Sequence, residues 1–161
     1  APVISFEPGR WTVAPTGVTL YRVGTVKPVQ LNGEAKDKGG NPVTERVYVS
    51  VDGGMSDNIR TALYHADYEP VIANKAGEPR TEIVTLCGKH CESGDAVVID
   101  MPIQHPEIGD IACVFTTGAY CSTMSSNYNG QPTPAVVFVK DGVARVVTRR
   151  ETYADLYARD I

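Results

Sequence analysis

The sequence predicts a mainly β fold, a Greek-key-like β-barrel or sandwich with short helices and a C-terminal helix. About seven or eight short β-branched runs recur at regular spacing, separated by turn residues such as glycine, proline and aspartate. An Asp-Gly pair at residues 141–142 joins two valine-rich runs, which is a strong hairpin signal. Hydrophobic residues make up 42% of the 161 residues, which is enough to build the core of one domain.

The first half of the chain carries the clearest strand patterns. An apolar, strand-like stretch opens the chain at residues 2–6. Apolar and polar residues then mix over residues 18–26 in a strand pattern with an irregularity near Gly24. Residues 32–42 are polar and glycine-rich, which indicates an exposed hairpin loop. Valine alternates with tyrosine and serine over residues 47–51, so one face of that strand is expected to be buried.

Shorter apolar or β-branched runs predict the remaining strands. They are residues 71–73, 83–86, 97–99, 111–115, 136–139 and 143–147. Helix signals are few: residues 58–64 could form one or two helical turns, and residues 119–125 a short helix. Residues 151–159 place two tyrosines and a leucine on one helical face, which predicts the C-terminal helix.

Charge and composition exclude some classes of partner. The net charge is −4 and no basic patch stands out, so nucleic acid is not an expected partner. No apolar run approaches the ~20 residues that span a bilayer and no signal peptide is present, so the protein is expected to be cytoplasmic, without membrane contact. The four cysteines are expected to be free thiols. Zinc is not expected, because His90 with Cys87 and Cys91 lacks the usual second pair of ligands.

Polar clusters follow several of the strand-like runs, where a rigid scaffold commonly displays reactive side chains. They are Glu7-Pro8-Gly9-Arg10; residues 51–58 (VDGGMSDN), with Arg60 and Tyr64 after them; Cys91-Glu92-Ser93-Gly94-Asp95; and Gly118-Ala119-Tyr120, before residues 124–129 (MSSNYN). Together they hold arginines, a thiol, a carboxylate and tyrosines. Such a set suits a small zwitterionic ligand that carries carboxylates or phosphate.

The first two clusters combine glycine with arginine. Gly9 lets the backbone approach a ligand closely, and Arg10 can bond a carboxylate or phosphate through two parallel hydrogen bonds. Arg60 and Tyr64 are four residues apart on one helical face, where a guanidinium and a phenol can hold a carboxylate between them. The Asp-Asn pair before Arg60 can cap that helical turn. Taken alone, each cluster could equally be a solvated turn.

Cys91 and Glu92 form the sharpest signal. A thiol polarised by nearby charge can donate or accept a proton, and the carboxylate beside it can bind an ammonium group. Tyr120 follows two small residues, so its ring can lie against a planar group with its hydroxyl on a phosphate. Taken alone, these could be an inert buried cysteine, a surface glutamate and a core tyrosine. The remaining cysteines are expected to be inert: Cys87, Cys113 and Cys121.

Together these clusters resemble the C-terminal half of the diaminopimelate decarboxylases, pyridoxal-phosphate (PLP) enzymes with an alanine-racemase-like β-domain. The similarity runs from about Glu7 to the C-terminus, and its most specific stretches are VDGGMSDNIRTALYHADYEP, GKHCESGD and GAYCSTMSSNYN. The resemblance implies an enzyme that decarboxylates meso-2,6-diaminopimelate to L-lysine with PLP. It also implies a homodimer in which the loop of Cys91 and Glu92 reaches the partner's cofactor.

The resemblance further implies roles for individual residues. Cys91 would protonate the carbon that loses CO₂. The substrate-binding residues would be Arg10, Arg60, Tyr64, Glu92 and Tyr120. The cofactor-binding residues would be Glu7, Gly9, Arg10 and Tyr120. Glu7 stands at the position that could pair with the pyridine nitrogen, and Cys121 stands where the family pattern has glycine, which affects only local packing.

In this family the lysine that binds PLP covalently lies in an N-terminal α/β barrel, and residues 1–15 would be the tail of that barrel. The lysines of this chain lack the required sequence context: Lys27, Lys36, Lys38, Lys75, Lys89 and Lys140. Residues 1–161 are therefore interpreted as the C-terminal β-barrel domain of a larger decarboxylase, which is expected to be inactive alone. An intact small protein is the alternative.

Two other functions stay open. A related decarboxylase of ornithine or arginine is one, although those enzymes usually carry aspartate where Glu92 stands and lack an arginine-rich distal pocket. A non-enzymatic β-barrel binding module is the other, although it would have no reason to keep a thiol, two arginines and two tyrosines in separate loops. A lysine-bound PLP adduct in the full gene product would favour the enzyme over the binding module.

Overall fold

Along residues 2–37 and 39–161, which a computed structural model describes, eight strands form two sheets. The strands are β1 (Thr19–Gln30), β2 (Glu45–Val51), β3 (Pro70–Ile72), β4 (Glu82–Cys87), β5 (Ala96–Ile103), β6 (Ile111–Val114), β7 (Val136–Lys140) and β8 (Val143–Thr148). The helices are α1 (Gly9–Val13), α2 (Arg60–Tyr64) and α3 (Tyr153–Leu156), with 3₁₀ turns at Ala14–Thr16, Ala73–Lys75, Ser122–Met124 and Tyr128–Gly130. None of these described helices has the length and apolarity needed to cross a bilayer.

The larger sheet has six strands in the order β3-β6-β1-β2-β4-β5. β2 and β4 pair in parallel, and the other neighbouring strands are antiparallel. The two edge strands, β3 and β5, contact each other, so the sheet is nearly closed like a barrel. The prediction of a mainly β, barrel-like fold is confirmed.

The irregularity predicted near Gly24 is a break in the pairing of β1 with β2. The register shifts between Val23 and Val26, and the Ser50 hydroxyl accepts the N–H of Thr25 at 2.6 Å in the gap. A Cβ on Gly24 would lie 2.7 Å from that hydroxyl oxygen, so a larger residue here would displace the hydroxyl and its hydrogen bond to Thr25. The loop after β1 is largely exposed, as predicted for residues 32–42, except that Lys38 lies outside the described residues.

The core lies inside the six-stranded sheet. Val49 and Val51 are buried and Val47 is half-buried, which confirms the alternation predicted for β2. Each fully buried aliphatic side chain contributes about 1.5–3 kcal/mol relative to an exposed one. The buried cluster includes Tyr21, Val23, Ile72, Val84, Leu86, Val97, Val98, Ile103, Ala112 and Val114.

The second sheet is the β7–β8 hairpin. Its turn residues, Asp141 and Gly142, have φ angles of 50° and 77°, as a two-residue turn between antiparallel strands requires. The hairpin prediction is therefore confirmed. Its large apolar side chains are exposed in this chain, unlike those of the six-stranded sheet: Val137, Phe138, Val139, Val143, Val146 and Val147. An exposed apolar area of this kind is expected where another protein surface packs.

Three predictions needed correction in their local structure. The strand-like stretch at residues 2–6 forms no strand, because no other described segment pairs with it, and α1 follows instead. Residues 119–125 form only a 3₁₀ turn at Ser122–Met124. The C-terminal helix forms but is short; it begins at a capping box in which the Asp155 carboxylate accepts both the N–H and the hydroxyl of Thr152.

Candidate active site

The segment that carries Arg10 docks on the turn that carries Tyr120. The N–H of Gly118 donates to the carbonyl of Ala14 at 3.0 Å, and the N–H of Thr117 donates to the carbonyl of Gly17 at 3.0 Å. A Cβ on Gly118 would collide with the carbonyl oxygen of Val13, so this close approach requires glycine. Two clusters that are about 110 residues apart in sequence therefore lie side by side.

Tyr120 has a strained backbone. Its φ angle is 66°, which a residue with a bulky side chain rarely adopts, and its side chain is about half exposed. Strain of this kind is concentrated at functional sites, because the surrounding structure must hold it in place. The tight docking of Gly118 supplies that restraint.

The Arg60 guanidinium also contacts the Tyr120 ring. Arg60 is the first residue of α2, its N–H is accepted by the Asn58 side-chain oxygen at 3.2 Å, and only 9% of the residue is exposed. The guanidinium lies 5.1 Å from the ring centre of Tyr64 and 5.3 Å from that of Tyr120. We call these three side chains, Arg60, Tyr64 and Tyr120, the arginine–tyrosine cluster.

No carboxylate of the described residues neutralises the charge of Arg60. Among residues 2–37 and 39–161, no carboxylate forms an ion pair with this guanidinium, and its buried Nε has no hydrogen-bond partner. Removing a charge from water costs several kcal/mol, and two ring contacts return about 0.5–2 kcal/mol each. An anionic ligand would complete the environment of this guanidinium.

Arg10 lies near the same cluster. Burial raises the pKa of the Cys121 thiol, and the positive charges of Arg60 and Arg10 act in the opposite direction. Both guanidinium groups are therefore within electrostatic reach of this one sulfur atom. Arg10 itself is exposed at the start of α1, as are Glu7 and Gly9 before it. The sequence-predicted residues Arg10, Arg60, Tyr64 and Tyr120 thus share one region.

Glycines of the loop before α2 allow it to pack against two other segments. A Cβ on Gly53 would collide with the Tyr21 ring, and a Cβ on Gly54 would lie 2.6 Å from the carboxylate of Asp95. That carboxylate accepts the N–H of Met55 at 2.6 Å and the N–H of His90 at 2.7 Å. Asp95 therefore fastens the loop before α2 to residues 88–95, which we call the cysteine–glutamate loop.

The cysteine–glutamate loop is closed by its own backbone. The N–H of Gly88 donates to the carbonyl of Asp95 at 2.9 Å, and the N–H of Asp95 donates to the carbonyl of Glu92 at 3.1 Å. Cys91 and Glu92 are both exposed on it, as predicted. Among the described residues, no hydrogen bond or ring contact joins either of them to Arg60.

The cysteine–glutamate loop carries contacts that the sequence reasoning missed. The Tyr128 hydroxyl donates a hydrogen bond to a carboxylate oxygen of Glu92, which raises the pKa of Tyr128. The Tyr128 ring lies 5.6 Å from the ring of His90, whose Nε2 is 2.8 Å from the Ser56 hydroxyl. The only sequence signal was that these residues occur inside the quoted motifs VDGGMSDN, GKHCESGD and MSSNYN.

The four cysteines are all described, and all are free thiols, as predicted. Burial raises the pKa of Cys87 to about 11, with the charge of Asp95 adding to the shift, and burial also raises the pKa values of Cys113 and Cys121. Cys91 is the exposed one. The environments therefore support inert roles for the other three and leave Cys91 accessible.

The surroundings of Lys75 do not resemble a covalent PLP site. Lys75 forms ion pairs with Asp110 at 2.8 Å and Glu107 at 2.5 Å, and these hydrogen bonds raise its pKa. A lysine that attacks an aldehyde needs the opposite shift, because the neutral amine is the nucleophile. Lys38 lies outside the described residues. Within the described ranges, no group of three histidine, cysteine or acidic side chains could hold a metal ion.

Comparison with known proteins shows which proteins this chain is similar to. Residues 11–118 match the family described as pyridoxal-dependent decarboxylase, C-terminal sheet domain. Diaminopimelate decarboxylase of Bacillus subtilis is 46% identical over 160 residues, covering 99% of this chain and 34% of that protein. The enzyme of the same name from Mycobacterium tuberculosis H37Rv is 46% identical over 161 residues, with the same coverage.

A solved structure shares the fold. The crystal structure of diaminopimelate decarboxylase from M. jannaschii in complex with L-lysine has a TM-score of 0.76 and 30% identity. The alignment covers 94% of this chain and 31% of that one. This chain therefore spans about a third of the length of the relatives that it matches.

Proposed function

The chain belongs to the pyridoxal-dependent decarboxylases as their C-terminal sheet domain, and we propose that the longer protein containing it, the parent protein, decarboxylates meso-2,6-diaminopimelate to L-lysine. The observation that carries this proposal is the buried guanidinium of Arg60, which has no carboxylate partner among the described residues and whose Nε has no hydrogen-bond partner. Such a group suits an anion, and the proposed substrate brings a second carboxylate that takes no part in the reaction.

The arginine–tyrosine cluster and the cysteine–glutamate loop together suit the distal end of the substrate, which carries both a carboxylate and an ammonium group. The arginine–tyrosine cluster offers a guanidinium and phenols for a carboxylate, and Glu92 offers a carboxylate for an ammonium group. Ornithine has a distal ammonium but no distal carboxylate, so it would leave Arg60 unpaired. The names of the relatives and the L-lysine in a similar structure agree with this choice.

The same region fits PLP. Arg10 and Tyr120 offer hydrogen-bond donors for a phosphate, and the backbone of Gly9 is exposed beside them. Glu7, in the exposed segment before α1, is assigned to the cofactor's ring nitrogen. When bound, PLP would supply the electron sink that allows the carboxyl-bearing carbon to release CO₂.

Cys91 is assigned to proton delivery. When CO₂ leaves, the bonding electron pair stays with the substrate carbon, and that carbon must take up a proton. The exposed Cys91 thiol can supply it and then regain a proton from solvent. Glu92, next to it, would hold the substrate's distal ammonium, away from the carbon that loses CO₂.

A homodimer with shared active sites is part of the proposal. Cys91 and Glu92 are exposed, and the apolar β7–β8 hairpin needs a covering surface. Within the described ranges, no hydrogen bond links the cysteine–glutamate loop to Arg60, as expected if the two serve different sites. Four free thiols are consistent with a reducing compartment, so we place the protein in the cytoplasm.

The test is a substrate panel on the parent protein loaded with PLP. We expect CO₂ release from meso-diaminopimelate and at most a small rate from ornithine, arginine or lysine. Activity on ornithine or arginine without activity on diaminopimelate would refute the substrate assignment. Absence of any decarboxylation in a folded, PLP-loaded protein would favour the binding module.

This chain alone provides a complementary test. Mixed with PLP and then treated with borohydride, it is expected to stay colourless and to carry no stoichiometric adduct, because its lysines lack a suitable setting. The parent protein should give one specific adduct outside residues 1–161. A specific adduct on a lysine within this chain would contradict the assignment.

A further inference from the structure

A phenol from a distant part of the chain holds the carboxylate of Glu92. Tyr128, 36 residues further along, donates a hydrogen bond from its hydroxyl to Oε1 of Glu92. Glu92 is otherwise an exposed side chain on an exposed loop, where it would be free to occupy several rotamers. The contact fixes one carboxylate oxygen and leaves Oε2 to meet a ligand.

Tyr128 is itself held in place. Its ring packs against the buried His90 at 5.6 Å between centroids and an interplanar angle of 48°. The neighbouring Ser126 N–H donates to the Ser56 carbonyl at 2.9 Å, and the Ser56 hydroxyl is 2.8 Å from Nε2 of His90. On the other side, the Asn127 amide donates to the carbonyl of Gln131 at 3.0 Å.

We propose that Tyr128 is a positioning residue that sets the recognition of the substrate's distal ammonium group through Glu92. The proposal rests on the proposed function, because it names how one part of that site selects its substrate. Tyr128 touches the carboxylate and not the substrate. Its contribution is to hold Glu92 in one orientation before the ligand arrives, which lowers the entropy lost on binding.

The hydroxyl also suits this role chemically. A phenol bonded to a carboxylate keeps its proton, and the hydrogen bond raises the pKa of Tyr128 further. Tyr128 therefore remains a donor throughout the range in which an amino-acid ammonium is charged. The bond occupies Oε1 of Glu92, and Oε2 can still accept a hydrogen bond from the ammonium.

The test uses the PLP-loaded parent protein and removes only the hydroxyl, as Tyr128→Phe. We expect KM for diaminopimelate to rise about tenfold, with kcat changed by less than about twofold, since a charge-assisted hydrogen bond is lost outside the reacting centre. The inhibition constant of 2-aminopimelate, which lacks the distal amino group, should stay unchanged. The matched control is Tyr153→Phe, an exposed tyrosine on α3.

A second variant separates positioning from general structure. On a Glu92→Ala background, Tyr128→Phe should have no further effect on KM, because the carboxylate that it positions is gone. An unchanged KM in the single variant would overturn the inference. Equal weakening of diaminopimelate and 2-aminopimelate would overturn it as well, since it would show a structural role only.

The two proposals fail in different ways. A wild-type parent protein that does not decarboxylate diaminopimelate refutes the proposed function before any variant is compared. An active wild type whose Tyr128→Phe variant keeps its KM refutes only the role of Tyr128. An active wild type with the selective loss described above supports both.

Discussion

The arginine–tyrosine cluster and the cysteine–glutamate loop hold their charges in opposite ways. Arg60 is buried, lies over two aromatic rings and has no carboxylate partner among the described residues. Glu92 is exposed, yet Tyr128 already occupies one of its carboxylate oxygens. The Arg60 charge is thus buried without a carboxylate partner among the described residues. The Glu92 charge is solvated but held in one orientation.

This difference indicates what each region contributes to binding. A buried guanidinium has already lost its water, so an incoming carboxylate gains a strong interaction with little further desolvation of the protein. An exposed carboxylate must still lose water, and its gain depends on being held in one orientation. We therefore expect the cluster to dominate affinity, and the loop to dominate placement and proton delivery.

The largest effect should come from the loop's thiol. Cys91→Ala in the parent protein should lower kcat by ~10²-fold or more while KM changes little, because a positioned acid acts in the transition state. Steady-state kinetics with diaminopimelate measures both constants. Cys87→Ala is the matched control, since Cys87 is half-buried with its pKa raised to about 11 by burial. Unchanged kcat in Cys91→Ala would remove the thiol from the mechanism.

Subunit mixing asks whether the two regions serve one site or two. Assayed with diaminopimelate well below the wild-type KM, the Cys91→Ala and Arg60→Ala parent proteins should each be weakly active, and after exchange about a quarter of wild-type activity should return. Half of the randomly mixed dimers are then heterodimers, and each carries one site with both wild-type regions. Mass spectrometry confirms the exchange. No recovery in confirmed heterodimers would show that the cluster and the loop act within one chain.

A smaller effect is expected from the cluster alone. Arg60→Ala should raise KM for diaminopimelate by roughly tenfold or more, since charge-assisted hydrogen bonds contribute about 1.5–3 kcal/mol each. Arg60→Lys should recover little, because an ammonium cannot make two parallel bonds to a carboxylate or lie flat against the rings of Tyr64 and Tyr120. A wild-type KM in both variants would remove Arg60 from the substrate site.

The fold was largely predictable because its strands have strong local patterns. The valine alternation of β2, the Asp-Gly turn of the β7–β8 hairpin and the irregularity near Gly24 all express local geometry. The strand predicted at residues 2–6 does not form. β-propensity describes how well side chains fit a pleated surface, and it does not show whether a neighbouring strand is present. The connection of β2 in parallel with β4 depends on contacts between distant segments, which no local pattern shows.

The site was predictable in its residue types but not in its pairings. The i, i+4 spacing correctly brought Arg60 next to Tyr64. Nothing in the sequence placed Tyr120 against that guanidinium, or Tyr128 on Glu92, because both contacts follow from how the loops pack. The roles assigned to the site residues through the family resemblance stay predictions until the variants are measured.

The smallest effect is expected from Ser56→Ala. This variant tests whether the cysteine–glutamate loop is rigid enough to orient Glu92. Ser56→Ala removes the hydroxyl that contacts Nε2 of His90, and the other ring nitrogen of His90 already lacks a partner. A buried polar group left unsatisfied costs about 1–3 kcal/mol, so this chain should lose roughly that much free energy of unfolding. Urea denaturation measures the loss, and hydrogen exchange should rise at residues 88–92. Ser93→Ala, at an exposed position of the same loop, is the control and should change neither. If Ser56→Ala left both stability and exchange unchanged, the shape of the loop would depend only on Asp95 and the loop's backbone hydrogen bonds. The orientation of Glu92, on which the contrast with Arg60 rests, would then depend on Tyr128 only.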